Sequence, residues 1–177
     1  MQIKFLKNDE YPPSEDTFFM AEKIENEKGD FALDIGSGSG YLTKLLSENF
    51  SFVVGTDINY KVLKHQTYKT KNLICCNGSD AIKIKFDLIV CNLPYLATAE
   101  ILDIATDGGI DGLEIPLNII KSAIPCLNAS GKFLFVTSSL SNYHALIDAT
   151  KKGGLTTKVL AKKKLFFEEL IIIEAKK

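Results

Sequence analysis

The chain has 177 residues, 46% of them hydrophobic, enough apolar material for one sizeable core, and a single domain over residues 1–177 is expected. Its 21 basic and 22 acidic residues leave a formal charge of -1, so no global field draws it to nucleic acid or to an anionic membrane. Every basic residue is Lys, and without Arg the commonest bidentate reading of guanine edges is missing.

Tyr11-Pro12-Pro13 is a breaker, and Ser14 followed by Glu15, Asp16 and Thr17 reads as a helix cap with acids in the first turn, the helix running to about Asn26. Phe31 to Ile35 is a strand that enters a glycine loop, Gly36 to Gly40; Tyr41, Leu42, Leu45 and Leu46 then recur at helical spacing. Phe52 to Asp57 reads as a second strand, Asn59 to Lys69 as a second helix and Leu73 to Cys76 as a short third strand. A fourth strand, Phe86 to Cys91, stops at Asn92-Leu93-Pro94-Tyr95, and the irregular stretch from Leu96 to Ile115 is long enough to be a lid or a peptide groove.

A helix over about Pro116 to Leu127, a strand over Lys132 to Thr137 and a helix over Asn142 to Lys152 follow. Two last runs, Leu155 to Leu160 and Phe166 to Glu174, flank Lys162-Lys163-Lys164, which predicts a hairpin with a solvated lysine turn. Alternating strands and helices predict an α/β, Rossmann-like fold: a mainly parallel, doubly wound sheet with an antiparallel strand from the C-terminal hairpin. Ligands of such sheets bind beyond the carboxyl ends of the strands.

Cys75, Cys76, Cys91 and Cys126 form no Cys-x-x-Cys pair and read as buried free thiols of a reducing compartment; His65 and His144 lie far apart, and no metal site is expected. Met1 to Asn8 lack the apolar stretch of a signal peptide, and no apolar run, Leu170 to Ile173 included, is long enough to span a bilayer. A cytoplasmic protein that contacts no membrane is expected.

Asp34-Ile35-Gly36-Ser37-Gly38-Ser39-Gly40 sits between a strand and a helix, where glycines let backbone amides approach a nucleotide. The glycines are spaced Gly-x-Gly-x-Gly, with an acid two residues before the first. A carboxylate there would repel a pyrophosphate but suits S-adenosylmethionine, which carries a sulfonium and an ammonium and no phosphate. Asp57, at the end of the second strand and 17 residues after Gly40, is placed to accept ribose hydroxyls; Asp80, after the third, could receive an adenine amino group.

Asn92-Leu93-Pro94-Tyr95 suits a planar nitrogen whose lone pair is delocalised. The Asn92 side-chain oxygen and a backbone carbonyl fixed by Pro94 can accept its two N–H groups while the Tyr95 ring packs on the flat group. Acceptor oxygens also stabilise the positive charge that the nitrogen gains on methylation.

Taken together, Tyr11 to Thr17, Asp34 to Gly40, Thr56-Asp57-Ile58-Asn59, Asn92 to Tyr95, Asp107 to Glu114 and the closing Phe167-Glu168-Glu169-Leu170 resemble the HemK-like release-factor glutamine methyltransferases over essentially the whole chain. The similarity is to the short eukaryotic and archaeal branch, and it implies a class I S-adenosylmethionine-dependent methyltransferase with a seven-stranded sheet. By that resemblance Thr17, Asp34, Gly36, Gly38, Asp57, Ile58, Asp80, Ala81 and Asn92 contact the cofactor. Asn92, Pro94 and Tyr95 carry catalysis, and Asn92 to Tyr95 bind the substrate, the glutamine of Gly-Gly-Gln in a class I translation termination factor. The resemblance also implies that the N-terminal segment and helix, residues 1–28, pack over the cofactor site.

The branch pairs with a small zinc-binding activator protein, which implies a heterodimer built along the Leu73 to Cys76 edge strand, any zinc belonging to the partner. The family has Asn-Pro-Pro-Tyr where this chain has Leu93, at some cost in loop rigidity. Asn-Leu-Pro-Tyr is also the form of ribosomal RNA adenine dimethyltransferases, so an adenine N6-methyltransferase on RNA or DNA stands as the alternative. A non-catalytic cofactor-binding module is a third class, disfavoured by the intact Asp34, Asp57, Asn92 and Tyr95.

Overall fold

The computed structural model describes residues 11–177. Residues 1–10, with the leader reading of Met1 to Asn8 and the first part of the expected 1–28 segment, lie outside the described residues.

Helix α1 (Glu15–Ile24) begins just after Pro12 and Pro13, with Ser14 extended before it. Ser14 takes the N-cap position, but its hydroxyl donates to Asp16 Oδ1 at 2.9 Å instead of capping a backbone amide; Asp16 Oδ1 accepts the Thr17 N–H at 2.6 Å. The chain continues through β1 (Gly29–Ile35), α2 (Tyr41–Leu46), β2 (Phe50–Asp57), α3 (Tyr60–Lys64), β3 (Asn72–Cys75) and β4 (Phe86–Asn92). After the short strands β5 (Leu96–Ala97) and β6 (Asp107–Gly109) come α4 (Glu114–Ala123), β7 (Leu127–Ser138), α5 (Tyr143–Lys152), β8 (Thr156–Lys164) and β9 (Glu169–Lys176).

The main sheet has seven strands in the order β3-β2-β1-β4-β7-β9-β8. Neighbours from β3 to β7 are parallel, and the C-terminal hairpin adds an antiparallel strand, as the sequence predicts; it is the last strand, β9, that inserts between β7 and β8. The central strands are nearly continuous apolar runs because both faces are covered. Ile89, Cys91, Phe133, Phe135 and Ile171 share one core with Ile119, Ile120 and Leu146 of α4 and α5. Leu88, Val90, Leu134, Val136 and Ile172 share the other with Phe19, Met20 and Ile24 of α1 and with Leu42 and Leu46 of α2. Truncating a central side chain such as Phe135 to Ala would cost about 3–5 kcal/mol.

The helix expected over Pro116 to Leu127 spans Glu114–Ala123, and the strand expected from Lys132 already begins at Leu127. The second helix stops at Lys64 rather than Lys69, because Gln66 leaves the helical path to bury its side chain against the glycine loop. Lys162 to Lys164 form the last pairs of β8, opposite Glu169 to Ile171, and the turn falls at Leu165 to Glu168. The 96–115 stretch, read as irregular, contains two short strands: β5 and β6 pair in parallel, and the buried Asp107 carboxylate accepts the Leu102 and Asp103 amides, each at 2.9 Å. Of the thiols, Cys91 and Cys126 are buried, whereas Cys76 is half-buried and Cys75 exposed, because β3 is the edge of the sheet and no helix covers it fully.

Candidate active site

The chain runs from β1 outward to β2 and β3, then returns to place β4 on the other side of β1. That reversal opens a crevice at the carboxyl ends of β1 and β4. Register aligns the strand ends: Ile35 lies opposite both Thr56 and Cys91, Asp57 opposite Cys75, and Asn92 opposite Val136. The glycine loop, Asp57 and the Asn92 tetrapeptide therefore share one rim.

The loop is held from below. The Gly36 and Ser37 amides both donate to the Thr56 carbonyl at 2.8 Å, extending the β1–β2 ladder past the strand. Gln66, absent from the predicted site, donates its Nε2 to Ser37 Oγ at 3.2 Å and to the Gly38 carbonyl at 3.1 Å, and the Tyr68 amide donates to the Ser39 carbonyl at 2.8 Å. Gly40 sits at φ +82, and a Cβ there would lie 2.2 Å from the Tyr68 carbonyl oxygen, so only glycine fits. Gly36, at φ +73, is the opposite case: among the described residues its Cβ would meet nothing within 4 Å, which leaves space open above the loop.

Two carboxylates flank that space. Asp34 is fully buried and accepts the Thr43 hydroxyl at 2.6 Å; burial pushes its pKa up to about 7, the Thr43 hydrogen bond opposing and the nearby Asp57 charge adding to the rise. Asp57 accepts the Gly38 amide at 3.0 Å and the Asn59 amide at 2.8 Å; burial raises its pKa too, against those hydrogen bonds. Among the described residues neither forms an ion pair, so the pocket holds negative charge that a cationic ligand would stabilise.

Asn92 closes β4 with its Oδ1 buried and, among the described residues, without a hydrogen-bond partner. A buried carbonyl oxygen left unpaired costs about 1–3 kcal/mol, and such exceptions point to a ligand. Leu93, standing where the resemblance leads one to expect proline, is 2% exposed and donates its amide to the Val136 carbonyl at 3.2 Å. The ladder bond and core burial thus supply the rigidity that the missing ring would have given. Pro94 is buried, and Gly112 (φ +66) approaches so closely that a Cβ there would lie 2.3 Å from the Tyr95 carbonyl oxygen. The Asp107 to Glu114 segment is thereby packed on the tetrapeptide.

Tyr95 is half-buried beside two carboxylates. Burial raises its pKa most, followed by the charges of Asp16 and Glu168, by Tyr11 and by a hydrogen bond with Glu168. The Ser138 hydroxyl also donates to Glu168, while Tyr11 Oη bonds Ser14 Oγ at 2.7 Å and Asp16 Oδ2 at 3.0 Å. Tyr11, Asp16 and Glu168 join the site only through this tertiary contact. Thr17 is buried on the first turn of α1, its hydroxyl donating to Asp16 at 3.2 Å. Ile58, 43% exposed, follows Asp57 on the rim.

Asp80 and Ala81 are exposed on the turn after β3. Asp80 shares an electrostatic neighbourhood with Asp57, both raising the pKa of Cys76 behind the dominant effect of burial. It also lines a cleft of about 430 Å³ with Asn118 and Lys121 of α4, whose lining includes none of the glycine loop and none of the Asn92 tetrapeptide.

Comparison with known proteins places the chain among methyltransferases. The chain is 33% identical over 178 aligned positions to a putative protein N5-glutamine methyltransferase of Methanocaldococcus jannaschii, covering 93% of this chain and 90% of the relative. It is 27% identical to methyltransferase HEMK2 of Homo sapiens, over 84% of this chain and 80% of that one. Among solved structures, the E. cuniculi Mtq2-Trm112 complex responsible for methylation of the eRF1 translation termination factor contains a chain that matches with a TM-score of 0.81 at 24% identity, covering 96% of this chain and 99% of that one. The motif resemblance is borne out, and the space above Gly36, the two carboxylates without an ion pair among the described residues and the orphaned Asn92 oxygen fit S-adenosylmethionine, the cofactor of this fold class. The family model for the methyltransferase small domain matches residues 15–167, and the chain belongs to that family.

Proposed function

We propose that this chain methylates the side-chain amide nitrogen of a glutamine, that of Gly-Gly-Gln in a class I translation termination factor. The observation that carries the reading is the Asn92 oxygen, buried and unpartnered at the end of β4. An acceptor with no internal partner is poised for an N–H donor, and an amide NH2 offers two.

Asp34, Gly36, Gly38, Asp57, Ile58, Asp80 and Ala81 hold the cofactor along the strand ends, with Thr17 over it. When bound, S-adenosylmethionine supplies a methyl group activated by its sulfonium. The chain's own part is positional and electrostatic. Asn92 Oδ1 takes one amide hydrogen and the Leu93 carbonyl the other, fixing the nitrogen and reducing the delocalisation of its lone pair. Pro94 sets the direction of that carbonyl, and the Tyr95 ring packs on the amide plane. The two oxygens stabilise the charge that develops on nitrogen, and the proton leaves to water.

The names of the relatives from M. jannaschii and E. cuniculi support the acceptor and its protein. The same E. cuniculi complex supports a heterodimer. The partner in this reading is a small zinc-binding activator, with the zinc in the partner, docking along β3. Strand β3 ends the sheet, Leu73 and Ile74 are half-buried there, and no described strand pairs with its outer side.

Transfer of labelled methyl to a termination factor carrying Gly-Gly-Gln or Gly-Gly-Arg, beside a structured RNA and with the activator present, tests the reading. Label confined to the Gln form is expected. Label on the RNA with neither protein form modified would replace it with the adenine methyltransferase.

A further inference from the structure

The loop joining β8 to β9 ends in two adjacent phenylalanines, Phe166 and Phe167, 91% and 85% exposed with ring centroids 4.6 Å apart. Single exposed apolar residues are ordinary; an adjacent aromatic pair held on a rigid tip is a recognition feature. The tip is rigid because the Leu165 amide donates to the Glu168 carbonyl at 2.8 Å and Lys164 pairs with Glu169 directly beneath it.

Its place in the fold connects it to the methyl-transfer site. Leu170 lies opposite Ser138, two residues beyond Val136, which is the partner of Asn92. The tip therefore projects past the carboxyl ends of the parallel strands, on the same side as the Asn92 tetrapeptide. Within the tip, Glu168 accepts the Ser138 hydroxyl and lies close enough to Tyr95 to raise its pKa, and Leu165 packs against the same apolar cluster as the Tyr95 ring. Phe166 and Phe167 stand between two residues anchored to the site.

We propose that this tip is a docking surface for the polypeptide that presents the acceptor glutamine, with Phe166 and Phe167 as its apolar anchors. The proposal rests on the glutamine reading above. Charge argues for a polypeptide over a nucleic acid. Lys162 and Lys163 are neutralised by Glu169 and Glu15, each at 2.6 Å, while Asp16 and Glu168 add negative charge beside Tyr95. Phosphates would meet carboxylates there. The activator is not the occupant either: β3 and β8 are the two outer strands of the seven, roughly 29 Å apart at about 4.8 Å per strand.

The test is steady-state methylation of the Gly-Gly-Gln factor by the activator complex, comparing wild type with F166S/F167S and with F166L/F167L. Because both side chains are exposed, the variants keep the wild-type melting temperature and cofactor affinity. The Ser variant is expected to raise KM for the factor about tenfold or more with kcat within about twofold, and the Leu variant to recover most of the loss. An unchanged KM in the Ser variant, with wild type active on the factor, overturns the docking role and leaves the glutamine reading standing. Loss of activator co-elution, or of a self-associated mass by light scattering, assigns the tip to that other occupant and overturns it equally. A wild type that does not methylate the factor removes the glutamine reading and this proposal with it.

Discussion

The glycine loop and the Asn92 tetrapeptide lie on one rim and are built on opposite principles. Around the loop the polar side chains have internal partners: Asp34 has Thr43, Asp57 has the Gly38 and Asn59 amides, and Gln66 serves Ser37 and Gly38. At the tetrapeptide the backbone is pinned by Val136 while the side-chain oxygen that matters is left unpaired. An element that holds a cofactor gains from being set before the cofactor arrives. One that must grip a reacting amide needs an unspent acceptor, and the fold tolerates its cost in stability.

The sharpest way to break this contrast is to remove the unspent acceptor. Asn92→Ala should lower kcat by about 10³-fold, ~4 kcal/mol in transition-state stabilisation, with cofactor affinity within a few-fold of wild type. Its melting temperature should be unchanged or slightly higher, because a buried unsatisfied group is gone. Near-normal turnover would sink the mechanism.

Asp34 probes the partnered side. Its folded pKa of about 7 lies above its ordinary 3.8, so the folded state binds the proton more tightly than the unfolded one. That stabilisation is present below about pH 4 and is lost as pH rises through about 7, on the order of 4 kcal/mol in full. Urea unfolding across pH 4–8 should show wild type losing stability relative to Asp34→Asn over this window. Saturating S-adenosylmethionine, a cation, should reduce the loss, and parallel profiles for the two proteins would contradict the assignment.

The two glycines of similar backbone conformation sharpen the comparison further. Gly40→Ala collides with the Tyr68 carbonyl and should cost about 2–3 kcal/mol in unfolding free energy. Gly36→Ala meets open space and should cost only about 1 kcal/mol, yet weaken S-adenosylmethionine about tenfold by calorimetry. Equal cofactor affinity in Gly36→Ala and wild type would show that the cofactor does not occupy the space above the loop.

Much of this was legible in the chain. Apolar runs of strand length alternating with helical spacing gave the parallel sheet. The Gly-x-Gly-x-Gly spacing with Asp34 in front marked the loop, and Asn92-Leu93-Pro94-Tyr95 at a strand end marked the reacting edge. These are local signals, carried by periodicity and by turn chemistry a few residues wide. Tertiary structure alone decided that Gln66 leaves its helix to brace the loop, that Leu93 donates the ladder bond proline could not, and that Lys162 to Lys164 pair as strand. It also brought Asp16 and Glu168, from opposite ends of the chain, to Tyr95. Hydrogen bonds and charges between distant segments leave no period in the sequence, because their partners are chosen by which strand ends the folded sheet sets side by side.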